Sequence, residues 1–376
     1  MPYHRIPAVY MRGGTSKALV FRVSDLPEDR AQRDAIFLAA MGVPDPNGRQ
    51  LDGMGGGLSS LNKVCIVGPP SRPDADVDYT FVQLGVDAPL VDYGGNCGNM
   101  SSAIGPYAVE EGLVPRPADG EAAVRIHNTN TGKIIVARFP VRDGALAAEG
   151  DFALDGVAGT AAPVRLEFVE PGGAKTGRLL PTGNSVDVLD VEGLGPVEAS
   201  CIDAANPCVF VAAEAVGKSG AELPMELERD SAFLAAMEAI RQAGSVRMGL
   251  APDPAAAAKL ASIPKVAMIC ASGDAPTISG RPLTAAEADI GIRMISVGQP
   301  HRAVPITGAI CLAVAARVPG SIPHRLCAAG SGPIRIGHAS GTTVVDADVT
   351  DGVARLGAVY RSARRLFEGN VIYRAP

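Results

Sequence analysis

The sequence predicts an α+β fold of two similar halves, each a mixed β-sheet wrapped around one central apolar helix. Glycine and proline, 44 and 30 of the 376 residues, separate short apolar runs along the whole chain, which is typical of strands joined by tight turns. Two runs, residues 101–111 and 309–317, are apolar on nearly all sides, so each belongs in the centre of a domain. Motifs that recur in one order indicate the two halves.

Four pairs of segments make up this repeat. In each pair a similar motif stands before a strand or a helix, in the same order in both parts of the chain. The pairs are residues 14–16 with 183–185, 62–67 with 206–211, 96–98 with 306–308, and 127–132 with 338–341. An ancient duplication would leave this pattern. We therefore expect halves at residues 1–170 and 171–376, divided near Pro171, with terminal strands that can be exchanged between them.

Two further segments, residues 30–41 and 230–243, have the apolar spacing of amphipathic helices. Gly42 and Gly244 follow them directly and are typical stop signals. We expect both segments to form surface helices that cover a sheet.

Composition and charge exclude several classes of protein. With 34 Lys and Arg against 40 Asp and Glu, the net charge of −6 repels a phosphate backbone, and the absence of Trp leaves few platforms for base stacking. The longest apolar stretch without charge, residues 303–316, is shorter than the roughly 18 residues that a membrane-spanning helix needs. We expect neither nucleic acid nor membrane as a partner, which leaves a small molecule and a second copy in a homodimer.

The cysteine pattern predicts reduced thiols. The seven cysteines are scattered, with no CxxC pair and no histidine at zinc-ligand spacing, and residues 1–12 contain no apolar signal core. A cytoplasmic protein without a structural metal is therefore expected. Phosphate-loop, dinucleotide-binding and HExxH motifs are also missing from the sequence, so we expect no cofactor.

Cys97 is the best-placed reactive thiol. It lies in the glycine-rich turn between Tyr93 and Asn99, directly before the first central helix. A helix N-terminus lowers the pKa of a thiol, and flanking glycines allow a ligand to approach the backbone closely. The alternative is a buried structural cysteine in a tight turn.

Lys63 begins an apolar run that ends at Val67. Its ammonium group lies either in solvent at a strand end or desolvated in a cleft, where a lowered pKa would make it a general base. The presence of Cys97 in the same half favours the cleft. In the other half, Lys265 and His301 either contact a carboxylate or are ordinary charges at loop ends.

A glycine loop stands at the start of each central helix. If the two halves face each other, both helix N-termini point into the cleft between them and make it an anion site. A lysine, a thiol and such a cleft fit proton transfer next to a carbonyl or carboxylate group. The substrate predicted in this way carries several carboxylates.

Several motifs resemble one known family. They are MRGGTSK at residues 11–17, NKV at 62–64, DYGGNCGN at 92–99, LPTGNS at 180–185 and RSARRLF at 361–367. The sequence resembles the family of 2-methylaconitate cis-trans isomerase, methylitaconate delta-isomerase and 4-oxalomesaconate tautomerase from the N-terminus to the last strand. The resemblance implies a diaminopimelate epimerase-like fold and isomerisation of unsaturated polycarboxylates without a cofactor.

The resemblance also implies roles for single residues. Lys63 corresponds to the catalytic lysine of the family and Cys97 to its active-site cysteine. The substrate carboxylates would contact polar groups and glycines of both halves. These are Thr15, Ser16, Asn96, Gly98, Asn99, Lys265, Ser296, His301, Thr307 and Gly308. Thr307 stands where two-cysteine epimerases of the wider superfamily have a second thiol, so racemisation by two opposed thiols is not expected.

The motifs at residues 180–185 and 361–367 resemble most the 4-oxalomesaconate enzymes of aromatic acid breakdown. Tautomerisation of this tricarboxylate is therefore the first expectation, and isomerisation of 2-methylaconitate or aconitate is the alternative within the family. A carboxylate-binding protein without turnover is the alternative outside enzymes. The presence of both Lys63 and Cys97 argues against it.

Overall fold

The computed structural model describes residues 3–94, 96–115, 117–260, 263–296, 298–328 and 330–374. The chain divides into two compact units. The first contains the residues up to Glu167 and those from Tyr360 onward, and the second contains Phe168–Val359. Pro171, where the sequence predicts the break, lies close to this division. The segment from Tyr360 onward, which the sequence boundaries place in the second half, belongs to the first unit.

Strands dominate the structure. The first strands are β1 (Tyr3–Gly13), β2 (Ser16–Arg22), β3 (Lys63–Gly68), β4 (Val77–Leu84), β5 (Val91–Asp92), β6 (Gly120–Asn128), β7 (Lys133–Arg142), β8 (Ala145–Leu146), β9 (Phe152–Ala153), β10 (Thr160–Ala161) and β11 (Val164–Val169). The others are β12 (Asp187–Val191), β13 (Gly195–Ala204), β14 (Asn206–Ala212), β15 (Lys265–Ala271), β16 (Ile290–Ser296), β17 (Gln299–Pro300), β18 (Ile334–His338), β19 (Gly341–Thr350), β20 (Val353–Arg361) and β21 (Ala363–Arg374).

Helices are fewer and mostly short. They are α1 (Arg30–Met41), α2 (Gly98–Glu110), α3 (Pro224–Glu228), α4 (Ser231–Arg247), α5 (Pro254–Lys259), α6 (Ile306–Ala316) and α7 (Ile322–Leu326). Short 3-10 helices cover Val23–Asp25, Ser59–Leu61, Ala213–Val216 and Ala285–Glu287.

The first unit wraps its sheet around α2. Its strands follow the order β21, β1, β2, β3, β4, β6, β7, with β2–β3 and β4–β6 parallel and the other pairs antiparallel. Helix α2 is buried from Met100 to Val109 and contacts strands at both ends of this order, including β21 and β7. A helix surrounded in this way needs an apolar surface on all sides, which the sequence provides.

Close packing of α2 on β7 predicts a large effect of a side chain at Gly105. A Cβ atom there would lie 2.8 Å from the Cβ of Ala137 and 2.9 Å from Phe139. Because overpacking a core costs about 1–3 kcal/mol or more, Gly105→Val should lower the free energy of urea-induced unfolding by at least that amount. Gly332→Val is the control, since a Cβ at Gly332 meets nothing within 4 Å. Equal unfolding midpoints for the two variants would contradict this packing.

Helix α1 covers the other face of the same strands. It begins after Asp29, whose side chain accepts a hydrogen bond from the Gln32 amide, and it ends at Gly42, which has a left-handed φ of 70°. Phe37 and Met41 are buried against the strands. The sequence prediction of a surface helix over residues 30–41 is confirmed, including its glycine stop.

The second unit repeats this plan. Its strands follow the order β12, β13, β14, β15, β16, β18, β19, β20, with β14–β15 and β16–β18 parallel. Helix α6 is buried along nearly its whole length and contacts β13, β14 and β19. Helix α4 covers the outer face, with Phe233, Met237 and Ile240 in the core. The predicted fold class, two similar units that each wrap a mixed sheet around an apolar helix, is confirmed.

The predicted stop of α4 at Gly244 is wrong, because the helix continues to Arg247. A Cβ atom at Gly244 would lie 2.4 Å from a methyl group of Val209. This glycine therefore serves close helix–sheet packing, and the left-handed Gly249 follows two residues after the helix end.

Strand order corrects two of the four predicted sequence pairs. The parallel strands β2 and β3 align Ala18 with Lys63, and the parallel strands β14 and β15 align Cys208 with Lys265. Lys265, rather than a residue near Asn206, is therefore the topological counterpart of Lys63. Residues 183–185 precede β12 and have no counterpart in the turn between β1 and β2. The pairs at the central helices and at the hairpins β6–β7 and β18–β19 agree with the topology.

Candidate active site

The turn between β1 and β2 lies against the start of α2. Gly14 has a left-handed φ of 52°, and a Cβ atom there would lie 2.3 Å from Oδ1 of Asn99. Only glycine allows this conformation and this close approach. Nδ2 of Asn99 donates to Oγ1 of Thr15 at 3.1 Å, while Ser16 is buried at the start of β2. Four of the predicted site residues, Thr15, Ser16, Gly98 and Asn99, are thus brought together.

Cys97 is the N-cap residue of α2 and is half-buried. Its carbonyl oxygen accepts a hydrogen bond from the Ser101 amide at 3.0 Å. The amides of Gly98, Asn99 and Met100 lie in the first turn, so they have no partner within the helix and can bind an anion. The predicted helix start next to the thiol is therefore present, three residues earlier than the sequence prediction of residue 101.

A series of hydrogen-bonded asparagine side chains stabilises the loop before α2. Oδ1 of Asn96 accepts hydrogen bonds from Nδ2 of Asn128 and from Oγ of Ser101, both at 3.4 Å. Nδ2 of Asn128 also reaches Oδ1 of Asn130 at 3.1 Å, and Nδ2 of Asn130 donates to the Tyr93 carbonyl at 2.7 Å. Sequence analysis missed Asn128 and Asn130. The signal was available, because two asparagines stand in the hairpin turn that it paired with residues 338–341.

Lys63 is buried, with 8% of its surface exposed, so the alternative of a solvated strand end is wrong. Its Nζ donates to Oε1 of Gln83 at 2.5 Å and lies 5.2 Å from the centre of the Phe81 ring. Within the described part of the chain it forms no ion pair. Both contacts are neutral, which leaves the ammonium charge available to a bound anion or the amine available as a base.

Lys63 and Cys97 both lie near Cys65. Burial raises the pKa of the Cys65 thiol; a charge on Cys97 also raises that pKa, and the charge of Lys63 lowers it. Sγ of Cys65 contacts the hydroxyl of Tyr79 at 3.9 Å, and burial also raises the pKa of Tyr79. These two groups therefore stay protonated at neutral pH, and Cys97 is the more accessible of the two thiols.

Arg361 is, beside Lys63, a second buried cation among the described residues of this unit. Sequence analysis did not select it. Its Nε donates to Oδ1 of Asn99 at 3.2 Å, and burial lowers the pKa of its guanidinium to about 10. The residue remains charged at pH 7. It lies in the motif RSARRLF, which carries part of the family resemblance.

In the second unit, Lys265 is the first residue of β15, and its charge affects the pKa of His301. Burial and the charge of Lys265 lower the pKa of His301 to about 4, and burial lowers the pKa of Lys265. The His301 ring is therefore neutral at pH 7, and its buried Nε2 has no hydrogen-bond partner among the described residues. A buried polar atom of this kind can form a hydrogen bond with a bound ligand.

The remaining predicted site residues of the second unit are also placed. Thr307 and Gly308 lie in the first turn of α6, whose amides have no partner within the helix. Ser296 ends β16, and its side chain lies outside the described part of the structure.

Comparison with known proteins decides the family. The family model described as PrpF protein matches residues 3–374. The chain belongs to the PrpF family. A PrpF relative from Cupriavidus necator named 2-methyl-aconitate isomerase is 42% identical, over 98% of this chain and 97% of its own. The 4-oxalomesaconate tautomerase of Pseudomonas putida is 39% identical, over 98% of this chain and 96% of its own.

A solved structure supports the same assignment. The crystal structure of methylitaconate-delta-isomerase matches with a TM-score of 0.92 and 39% identity, covering 99% of this chain and 96% of that chain. The predicted resemblance and its diaminopimelate epimerase-like fold are confirmed. This PrpF-family chain is an isomerase, as the sequence predicts. No helix among the described residues is long and apolar enough to cross a membrane.

Proposed function

We propose that this isomerase moves a proton and a double bond within an unsaturated polycarboxylate, without a cofactor. The observation that carries the proposal is the buried Lys63, whose contacts among the described residues, with Gln83 and the Phe81 ring, are neutral. The charges of Lys63 and Cys97 both act on the pKa of Cys65. A lysine in such surroundings is a candidate general base. The substrate class follows from the names of two relatives, 2-methyl-aconitate isomerase and 4-oxalomesaconate tautomerase, because both names denote unsaturated acids.

The proposed chemistry is an allylic proton transfer. Lys63 removes a proton from a carbon next to the double bond, and the electron pair of that C–H bond forms a dienolate. The amides in the first turn of α2 stabilise its negative charge. Cys97 either returns a proton at the far carbon or positions the dienolate for this step. In an allylic shift one C–H bond breaks and one forms. In a keto–enol tautomerisation the proton returns to the carbonyl oxygen, so an O–H bond forms instead. The substrate is neither oxidised nor reduced in either case.

We propose binding of substrate carboxylates for the polar groups of each unit taken by itself. In the first unit these are Thr15, Ser16, Asn96, Gly98 and Asn99. We propose the same role for Lys265, Ser296, His301, Thr307 and Gly308 of the second unit. The orphaned Nε2 of His301 supports this, because a hydrogen-bonded carboxylate would satisfy it. The seven cysteines are free, which fits a reducing compartment, and we include a cytoplasmic location in the proposal.

Two substrates are candidates. 4-Oxalomesaconate, an intermediate of aromatic acid breakdown, is the first because of the motifs at residues 180–185 and 361–367. 2-Methylaconitate is the second, and the 42% identity to the relative from Cupriavidus necator favours it. An ultraviolet assay of double-bond movement with both acids, aconitate and methylitaconate tests the proposal. Turnover of one acid with a clearly higher kcat/KM selects it, and no turnover of any would contradict the proposal.

Chelation is expected to leave the activity unchanged. The helix amides and the cationic side chains stabilise the charge of the dienolate, and each such donor is worth about 2.7–4 kcal/mol when removed from an enzyme site. Protein dialysed against EDTA and assayed without additions should therefore keep its kcat/KM. Loss of activity that a divalent ion restores would contradict the cofactor-free mechanism.

A further inference from the structure

Arg361 is a buried guanidinium whose hydrogen bonds lead to the start of α2. The residue ends β20 and is 7% exposed. Its Nε donates to Oδ1 of Asn99, and its Nη1 donates to the carbonyl oxygen of Tyr360 at 2.8 Å. Nη2 has no hydrogen-bond partner among the described residues. No carboxylate of the residues that the structure describes forms an ion pair with Arg361.

A buried charge without a counter-ion is unusual. Burial penalises a charged group strongly unless it is paired and hydrogen-bonded. Arg241, which is also buried, pairs with Glu238 at 2.6 Å. Arg293, a buried arginine without an ion pair in the described part of the chain, has a main-chain oxygen as acceptor at each of Nε, Nη1 and Nη2. Among the described residues Arg361 has one amide oxygen, one carbonyl oxygen and no acceptor at Nη2, so the free protein carries more of the cost of desolvation. An anion bound at Nη2 would offset this cost.

The surroundings of Arg361 favour an anionic ligand. Asn99, its partner, lies in the first turn of α2, where the unpaired amides and the helix dipole already attract negative charge. Asn99 also donates to the exposed Thr15, so Arg361, Asn99 and Thr15 form one hydrogen-bonded series. The planar fork of a guanidinium matches the two oxygens of a carboxylate better than an ammonium group does.

We propose that Arg361 binds one carboxylate of the substrate at the start of α2 and holds Asn99 in place for the same contact. This inference rests on the proposed function, because it assumes a polycarboxylate substrate. It assigns to the RSARRLF motif a direct part in recognition.

The test compares Arg361→Gln and Arg361→Lys with a matched control. Arg293 is suitable, because it is 3% exposed and its acceptors within the described ranges are the main-chain oxygens of Ala221, Glu222 and Ile292. Arg361→Gln should raise KM for a tricarboxylate by about 10- to 100-fold, the range for loss of a hydrogen bond to a charged group, with a smaller change in kcat. Arg361→Lys should recover part of this loss. Arg293→Gln should change the melting temperature and leave KM unaltered.

Binding of tricarballylate, a saturated tricarboxylate that cannot isomerise, separates this inference from the proposed function. Calorimetric titration should show affinity for wild type that falls about 10- to 100-fold in Arg361→Gln, whether or not any acid is turned over. A folded Arg361→Gln with wild-type KM and wild-type affinity for tricarballylate would overturn the inference and leave the isomerase proposal intact. If Arg361→Gln does not fold, unchanged values in Arg361→Lys, which lacks the fork, would overturn it equally.

Discussion

Lys63→Met is expected to lower the turnover number by about 10²–10⁴-fold, the usual contribution of a general acid or base. Methionine keeps the length and the apolar stem of the buried side chain but has no amine to take the allylic proton. The contact to Gln83 at 2.5 Å and the position over the Phe81 ring are lost with the Nζ atom. Because the loss concerns the proton-transfer step, KM should change much less than kcat.

Steady-state ultraviolet assays with the substrate selected from the panel provide the measurement. Lys133→Met is the matched control, since Lys133 is an exposed lysine at the first position of β7 in the same unit. The control should keep wild-type kcat. A Lys63→Met variant that is folded and turns over within a few-fold of wild type would exclude Lys63 as the base.

Cys97→Ser is expected to lower turnover by a similar factor, about 10²–10⁴-fold, if the thiol donates a proton. Serine fills nearly the same space at the N-cap of α2, and it caps a helix well, so the fold should be retained. Cys327→Ser, at another half-buried cysteine, is the control and should retain full activity.

Labelling with iodoacetamide tests the position of Cys97 independently of activity. Cys65, Cys201, Cys208 and Cys311 are buried, and burial raises the pKa of the half-buried Cys270, so all five should react slowly. Cys97 should be alkylated ahead of these five cysteines, and substrate should slow the reaction of Cys97. Mass spectrometry of the labelled peptides would refute this assignment if substrate gave no protection at Cys97.

Sequence reasoning predicted the architecture well because the signals for it are local. The helix over residues 30–41 and its glycine stop follow from apolar spacing and from one left-handed position. The continuation of α4 through Gly244 could not be predicted in this way, because the reason is contact with Val209 on a distant strand. The same limit applies to the repeat, since the match of Lys63 with Lys265 is visible only in the strand order.

The candidate site was predicted in part. Lys63, Cys97 and the start of α2 could be predicted from local sequence. A lysine begins an apolar run, and a cysteine stands in a glycine-rich turn directly before an apolar helix. The contact of Lys63 is made by Gln83 of β4, 20 positions later in the sequence. The asparagine contacts join Asn128 of β6 to Asn96 and Asn130 of the following turn to Tyr93, across 32 and 37 positions. Arg361 was missed for a similar reason. Its neighbour Asn99 is 262 positions away in the sequence, and nothing local distinguishes it from the other arginines of its motif.

The chain returns to the first unit after it has formed the second, and this determines the order in which the two units can fold during synthesis. β21 pairs with β1 along its length, from Tyr3 opposite Arg374 to Gly13 opposite Ala363. The first unit is therefore begun first and finished last, with the second unit inserted as one continuous stretch. During synthesis β1 stays an open strand edge until β21 emerges, whereas the second unit can fold earlier. Closure of the first sheet beside β1 therefore requires β21 and follows synthesis of the whole second unit.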